Sequence, residues 1–118
     1  MRDVVIIEAG RSPIGRKNGA LSAMHPTELL GTVMMAVLER AGVAPASVGQ
    51  VVGGCINKVG AQAMNVTRTA WLTAGGPVDV ACSTVDSQCG SSQHAVNLPR
   101  ASSLQEPRTW CSLAGLRI

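Results

Sequence analysis

The sequence contains no phenylalanine or tyrosine and only two tryptophans among its 118 residues. Any core must therefore be built mainly from Val, Ile, Leu, Met and Ala, and the 13 glycines allow the close backbone approach that small side chains require. The chain also has little clustered charge: its 10 basic and 7 acidic residues are scattered, with one local cluster at Arg11, Arg16 and Lys17. Proteins that follow a phosphate backbone use clustered positive charge and aromatic platforms, so we expect no nucleic-acid binding.

The amino terminus shows neither the signature of a signal peptide nor an apolar run long enough for a membrane span. We therefore expect a cytoplasmic protein that does not associate with membranes. The four cysteines, Cys55, Cys82, Cys89 and Cys111, form no Cys-x-x-Cys pair and have no histidine at zinc-ligand spacing. This pattern predicts free thiols, without a metal site or a disulfide framework.

Apolar runs and helical periodicity alternate along a chain whose length fits one small domain. Three runs are typical of strands covered on both faces, and two segments between them are typical of amphipathic helices. The predicted strands are residues 4–9, 51–56 and 78–85, and the predicted helices are residues 26–41 and 63–74. Pro26 suits a first helical turn and Gly42 a left-handed helix end. This order predicts an α/β layered fold in which helices cover a parallel or mixed sheet.

Residues 89–98 follow the third predicted strand after a turn, and they are predicted to form a short helix that Pro99 interrupts. Cys89 then stands between a buried strand and a helix amino terminus, with Gly90 leaving room for a substrate. The helix dipole and the free N–H groups at such a position favour a thiolate, and the same N–H groups can stabilise an oxyanion. The spacing alone leaves open both a nucleophilic Cys89 and an inert, buried one.

Three separated stretches resemble motifs of the thiolase family. Residues 11–15 are similar to its early Arg-Thr/Ser-Pro-x-Gly loop, residues 60–68 match its Gly-x-Gln-x-x-Asn-x-x-Arg stretch, and residues 89–92 follow its Cys-x-Ser-Gly/Ser nucleophile signature. The resemblance implies an incomplete thiolase-like layered fold with a mixed sheet. It also implies acyl transfer between coenzyme A thioesters, with Cys89 as the nucleophile and acyl-CoA as substrate, no further cofactor, and a homo-oligomeric parent enzyme.

Other parts of the thiolase pattern are missing from the sequence. Residues 86–88, Asp-Ser-Gln, stand where many thiolases have Asn and Arg, a departure compatible with a different acyl preference. The family's Gly-His-Pro, Cys-x-Gly and Asn-Glu-Ala-Phe motifs, which imply a base, a proton-shuttling thiol and part of an oxyanion hole, do not occur. The residues present do not replace them. His94 lies about 140° round the proposed helix from Cys89, His25 precedes another helix as a cap, and Cys111 has no Gly-rich neighbourhood.

Beyond Leu98 the sequence loses its periodicity and the family pattern. We therefore divide the chain into a partial thiolase amino-terminal domain, residues 3–98, and a divergent, irregular tail, residues 99–118. Our hypothesis is that the reading frame changes near Pro99 and yields a truncated, inactive product. The alternative is a natural terminus with a divergent tail.

Three other functions compete with thiolase chemistry. The chain could be a non-catalytic fragment or assembly partner, and in isolation we expect it to expose apolar faces and to aggregate. It could belong to the condensing enzymes of the same fold, although residues 60–68 favour the thiolase branch. The third is nucleotide hydrolysis, because residues 10–18 nearly form a phosphate-binding loop. Arg16 stands where that loop has its lysine and no Ser or Thr follows Lys17, so a basic surface loop is the favoured interpretation.

Overall fold

The computed structural model describes the backbone of residues 4–103 and 110–113 and the side chains of residues 4–99. Within these residues, three helices alternate with three strands. In chain order they are α1 (Pro26–Ala41), β1 (Gln50–Gly54), α2 (Val66–Thr73), β2 (Ala81–Val85), α3 (Ser91–Ser103) and β3 (Trp110–Leu113). Single 3₁₀ turns at Pro45–Ser47 and Gly60–Gln62 precede β1 and α2.

The described strands form one parallel sheet in the order β2-β1-β3. Gln50 is in register with Ala81 on one side and with Trp110 on the other. Helices α1 and α2 pack against each other, and α2 and α3 contact the sheet. The predicted α/β layered class is confirmed, and within the described part all strand pairs are parallel.

Helix α1 is defined by local signals at both ends. The His25 side chain accepts a hydrogen bond from the Thr27 N–H, while Glu28 accepts one from the His25 N–H, which completes a capping box. At the other end Gly42 adopts a left-handed conformation, with φ of 65°. The predicted helix, its Gly42 end and the capping role of His25 are confirmed.

The main core lies between helices α1 and α2 and the segments of strands β1 and β2. Its buried members are Met34, Leu38, Val48, Val51, Ala70, Trp71 and Val80. The Trp71 indole is fully buried, and its Nε1–H donates to the Pro77 carbonyl at 2.9 Å. A Cβ at Gly31 would lie 2.8 Å from the Ala70 carbonyl oxygen, so glycine lets α1 approach α2.

Residues 4–9 were predicted to form a buried strand, and this prediction is wrong. They run outside the sheet, and Val5, Ile6 and Ile7 are 72%, 83% and 69% exposed. The physical reason is a lack of pairing: β2 and β3 occupy both sides of β1, and residues 4–9 pair with neither outer edge of the described sheet, so nothing covers their apolar side chains. An ion pair between Glu8 and Arg40, at 2.9 Å, joins the segment to α1.

Pro99 was predicted to interrupt the last helix, but α3 continues through it to Ser103. Proline removes one helix hydrogen bond, and the contacts of α3 with β1 and β3 outweigh that loss. The predicted irregular tail thus contains the end of α3 and strand β3, while its other residues lie outside the described part. The division between residues 3–98 and 99–118 stays a prediction.

Two other elements begin later than predicted, for local reasons. Helix α2 starts at Val66 because Met64 has a left-handed φ of 59° and Asn65 caps the helix. Strand β2 starts at Ala81 because the preceding carbonyls, of Val78 and Val80, accept hydrogen bonds from the Arg68 guanidinium instead. No described helix is both long and apolar enough to cross a bilayer.

Candidate active site

Cys89 lies in a tight turn between the end of β2 and the start of α3. The Gly90 N–H donates to the Ser87 carbonyl at 3.0 Å, and the Ser91 N–H donates to the Gln88 carbonyl at 3.1 Å. Gln88 has a φ of 51°, a conformation that costs a non-glycine residue on the order of 1 kcal/mol and that persists only when its surroundings impose it. The turn leaves the Cys89 side chain exposed. The predicted position between a strand and a helix amino terminus is confirmed, whereas a buried Cys89 is excluded.

Two side chains fix the backbone of this turn. The Ser91 hydroxyl, which is buried, accepts from the Ser87 N–H at 2.9 Å and donates to the Gln88 carbonyl at 2.7 Å. An oxygen of Asp86 accepts from the Gln88 N–H at 3.0 Å. These bonds hold both sides of Gln88, which explains how the strained residue before Cys89 is kept in place.

The carboxyl end of β1 approaches this turn closely. A Cβ placed on Gly54 would lie 2.5 Å from the backbone carbon and oxygen of Ser91, and one on Gly53 would collide with the Thr67 hydroxyl. Only glycine avoids both collisions. The close backbone approach expected from the glycine content occurs at this pair, and it sets the start of α3 directly against β1.

A cleft of about 80 Å³ opens where β1 meets the amino terminus of α3. Its lining consists of Gly54, Cys55, Ile56, Gln88, Cys89, Ser91 and Ser92. The carboxyl ends of parallel strands are the common place for ligands in α/β sheets. Because a water molecule takes up about 30 Å³ in the liquid, the cleft has room for a reacting group of a few heavy atoms.

The arrangement supplies an exposed thiol and backbone hydrogen-bond donors at the start of a helix. The Ser91 N–H is taken by the Gln88 carbonyl, which leaves the N–H groups of Ser92 and Gln93 in the first helical turn to stabilise negative charge near Cys89. In the described part of the chain, no side chain forms a hydrogen bond with the Cys89 thiol. His94 instead pairs with the Ser87 hydroxyl through Nδ1, at 2.6 Å.

The other described cysteines differ from Cys89 in exposure. Cys55 is buried, and its thiol donates to Gln62 Oε1 at 3.3 Å. Cys82 is partly buried; burial raises the pKa of its thiol, and the nearby Arg68 guanidinium opposes this increase. The side chain of Cys111 lies outside the described residues. Among the side chains described, no group of three or more His, Cys, Asp or Glu could hold a metal ion.

Residues 60–68 carry the second motif, and their side chains form hydrogen bonds between the start of α2 and strand β2. Asn65 Oδ1 caps the helix by accepting from the Arg68 N–H and also accepts from the Thr84 hydroxyl, at 3.1 and 2.7 Å. Its amide group donates to the Cys82 carbonyl at 3.0 Å. Asn65 thus supports the strand that leads to the Cys89 turn. The sequence signal for this role was an Asn just before an apolar helical face, the usual helix cap.

The chain is similar to known proteins in both sequence and fold. The chain matches the family model of the thiolase N-terminal domain over residues 4–104. It is similar to a steroid 3-ketoacyl-CoA thiolase, FadA6, of Mycobacterium tuberculosis, with 41% identity over 97 residues that cover 82% of this chain and 24% of the relative. An acetyl-CoA acetyltransferase of Thiocystis violacea is 41% identical over 95 residues, which cover 80% of this chain and 24% of the relative. The crystal structure of the Bacillus anthracis acetyl-CoA acetyltransferase matches with a TM-score of 0.73 and 39% identity, covering 86% of this chain and 25% of that chain.

The chain spans about a quarter of the length of the curated relatives it matches. The family match includes all three motifs on which the sequence resemblance rests, and it extends beyond Leu98 to residue 104. The resemblance is therefore confirmed, and the chain belongs to the thiolase family, matching its N-terminal domain.

Proposed function

We propose that Cys89 is the nucleophile of an acyl transfer between coenzyme A thioesters. The observation that carries this proposal is the exposed Cys89 side chain at the β2–α3 turn, inside the segment that matches the thiolase N-terminal domain. The substrates we propose are acetoacetyl-CoA or longer 3-ketoacyl-CoA thioesters, in line with the names of the relatives. Both directions, cleavage and formation, use the same acyl-cysteine.

The chemistry proceeds by nucleophilic addition and loss of a leaving group. In cleavage, the Cys89 thiolate adds to the ketone carbon of the 3-ketoacyl group, and the negative charge moves to the carbonyl oxygen beside the N–H groups of α3. The bond between this carbon and the α-carbon then breaks, and the α-carbon takes up a proton as acetyl-CoA leaves. Free coenzyme A attacks the thioester that remains and releases Cys89. No resident cofactor is needed for these steps.

Complete turnover requires groups that the 118 residues do not contain. The family's Gly-His-Pro and Cys-x-Gly motifs, which the resemblance implies as the base and the second thiol, are absent from the sequence. We therefore propose that this chain by itself forms the acyl-cysteine slowly and does not turn over. The cytoplasmic location also stays a prediction, and a homo-oligomeric state is implied only for the parent enzyme.

Acetyl-CoA labelling tests the proposal. The chain is incubated with acetyl-CoA, and the acetyl group is located by peptide mass spectrometry. We expect slow acetylation of Cys89, released by added coenzyme A, and none in Cys89→Ser. The matched control is Cys82→Ser, which removes a partly buried thiol and should keep the label. Acetylation spread evenly over Cys82 and Cys89, or none at Cys89, would refute the nucleophile assignment.

One observation favours the alternative function of a non-catalytic fragment or assembly partner. Apolar side chains at the surface include Val5, Ile6, Ile7, Ile14 and Val78, each at least 69% exposed. Such surface favours association with another chain or with itself. If acetyl-CoA leaves Cys89 unlabelled while light scattering detects stable, stoichiometric association, the assembly role replaces catalysis.

A further inference from the structure

The Ser87–His94 pair is a contact between two side chains at the Cys89 turn that the proposed chemistry does not use. The Ser87 hydroxyl and His94 Nδ1 are 2.6 Å apart, and the contact is exposed. We infer that His94 is a positioning residue, which holds the Cys89 turn against α3 through Ser87. This inference rests on the proposed function, because it concerns the same nucleophile.

Ser87 is attached to the start of α3 by all of its hydrogen-bonding groups. Its N–H donates to the Ser91 hydroxyl, its carbonyl accepts from the Gly90 N–H, and its hydroxyl pairs with His94. His94 is itself fixed by the helix, because its N–H donates to the Gly90 carbonyl at 2.9 Å. These bonds therefore fix the backbone before and after Cys89, at Ser87 and at Gly90.

The hydrogen bonds of Ser87 matter because the neighbouring residue, Gln88, has a strained backbone. A non-glycine residue with φ of 51° relaxes unless its neighbours on both sides are held. Asp86 and Ser91 bind the backbone around Gln88, whereas His94 is the side chain that binds the Ser87 hydroxyl. Loss of the pair leaves the Ser91 and Asp86 bonds in place and loosens the Ser87 end of the turn, which shifts Cys89 relative to the helix N–H groups. Either tautomer of His94 can form the bond, since the Ser hydroxyl both donates and accepts.

The test measures the rate of Cys89 alkylation by iodoacetamide in the full chain at neutral pH, resolved by peptide mass spectrometry. In His94→Ala and Ser87→Ala we expect this rate to fall about threefold, the size of a weakened interaction with a helix amino terminus. Alkylation in the double variant should be no slower than in either single variant, because the two substitutions remove the same hydrogen bond. His94→Asn, whose amide can reach the place of Nδ1, should restore most of the rate.

The control is Gln93→Ala, which removes an exposed neighbour on the same helix that pairs with Asn97 rather than with the turn. Its Cys89 rate, and the Cys82 rate in every variant, should stay at the original value. Additive losses in the double variant, no rescue by His94→Asn, or equal changes at Cys82 would overturn the inference. Alkylation needs no coenzyme A, so a failure of acetyl-CoA labelling refutes the proposed function without deciding this test.

Discussion

Residues 4–7 and residues 51–52 are similar apolar runs, yet the structure places them in opposite environments. Val51 and Val52 are 0% and 2% exposed, whereas Val5 and Ile6 are 72% and 83% exposed. The difference is in their neighbours, because β1 is paired on both sides and contacted by helices α2 and α3. A β-branched, apolar run thus becomes a buried strand only where the rest of the chain provides partners on its edges and faces.

Truncating one side chain in the core that contains Val51 and one in the exposed run should give the largest contrast. We expect Trp71→Ala to lower the free energy of unfolding by about 3–5 kcal/mol, since it removes a fully buried indole and its bond to Pro77. The matched change in the exposed run, Ile6→Ala, should cost less than about 0.5 kcal/mol. Urea unfolding followed by circular dichroism measures both. Equal losses would mean that residues 4–9 are packed in solution.

Adding a methyl group at two glycines should give a smaller contrast. Gly54→Ala places a Cβ 2.5 Å from the Ser91 backbone and should cost about 1–3 kcal/mol. Gly15→Ala meets only the Leu21 side chain, at 3.5 Å, which is ordinary contact, so its cost should stay below about 0.5 kcal/mol. The same unfolding measurement compares the two.

The Gly54 variant also tests the geometry of the candidate site. Because its Cβ pushes on the first residue of α3, the rate of Cys89 alkylation should change in Gly54→Ala and stay constant in Gly15→Ala. An unchanged rate together with unchanged stability would show that β1 and α3 are not in close contact at this point.

Local signals in the sequence were sufficient to predict helix α1 and the position of Cys89 in the fold. Helix α1 could be predicted because its apolar face, Pro26 and Gly42 act within the helix and its caps. The position of Cys89 followed from a strand, a turn and a helix in succession. Family resemblance favours a nucleophilic over an inert Cys89, a choice that the spacing alone left open and that stays a proposal.

Other features depend on contacts that the sequence pattern does not encode. The exposure of residues 4–9 depends on which segments pair at the edges of the sheet. The passage of α3 through Pro99 depends on packing against the sheet. The Ser87–His94 pair requires the left-handed Gln88, which the residue type alone does not indicate. The counting of helical positions placed His94 on a different side of the helix from Cys89 but gave no sign of its contact with Ser87.

The most direct test of the central claim, that the β2–α3 turn makes Cys89 the reactive thiol, is competitive alkylation of the folded chain across a pH series. Cys89 should be modified first at neutral pH. Cys82 should lag and then gain as the pH rises, because burial raises its pKa and a higher pH is needed to form its thiolate. Cys55, which is buried, should react only on unfolding. If Cys82 is modified as fast as Cys89 at neutral pH, the turn gives Cys89 no special reactivity and the account is contradicted.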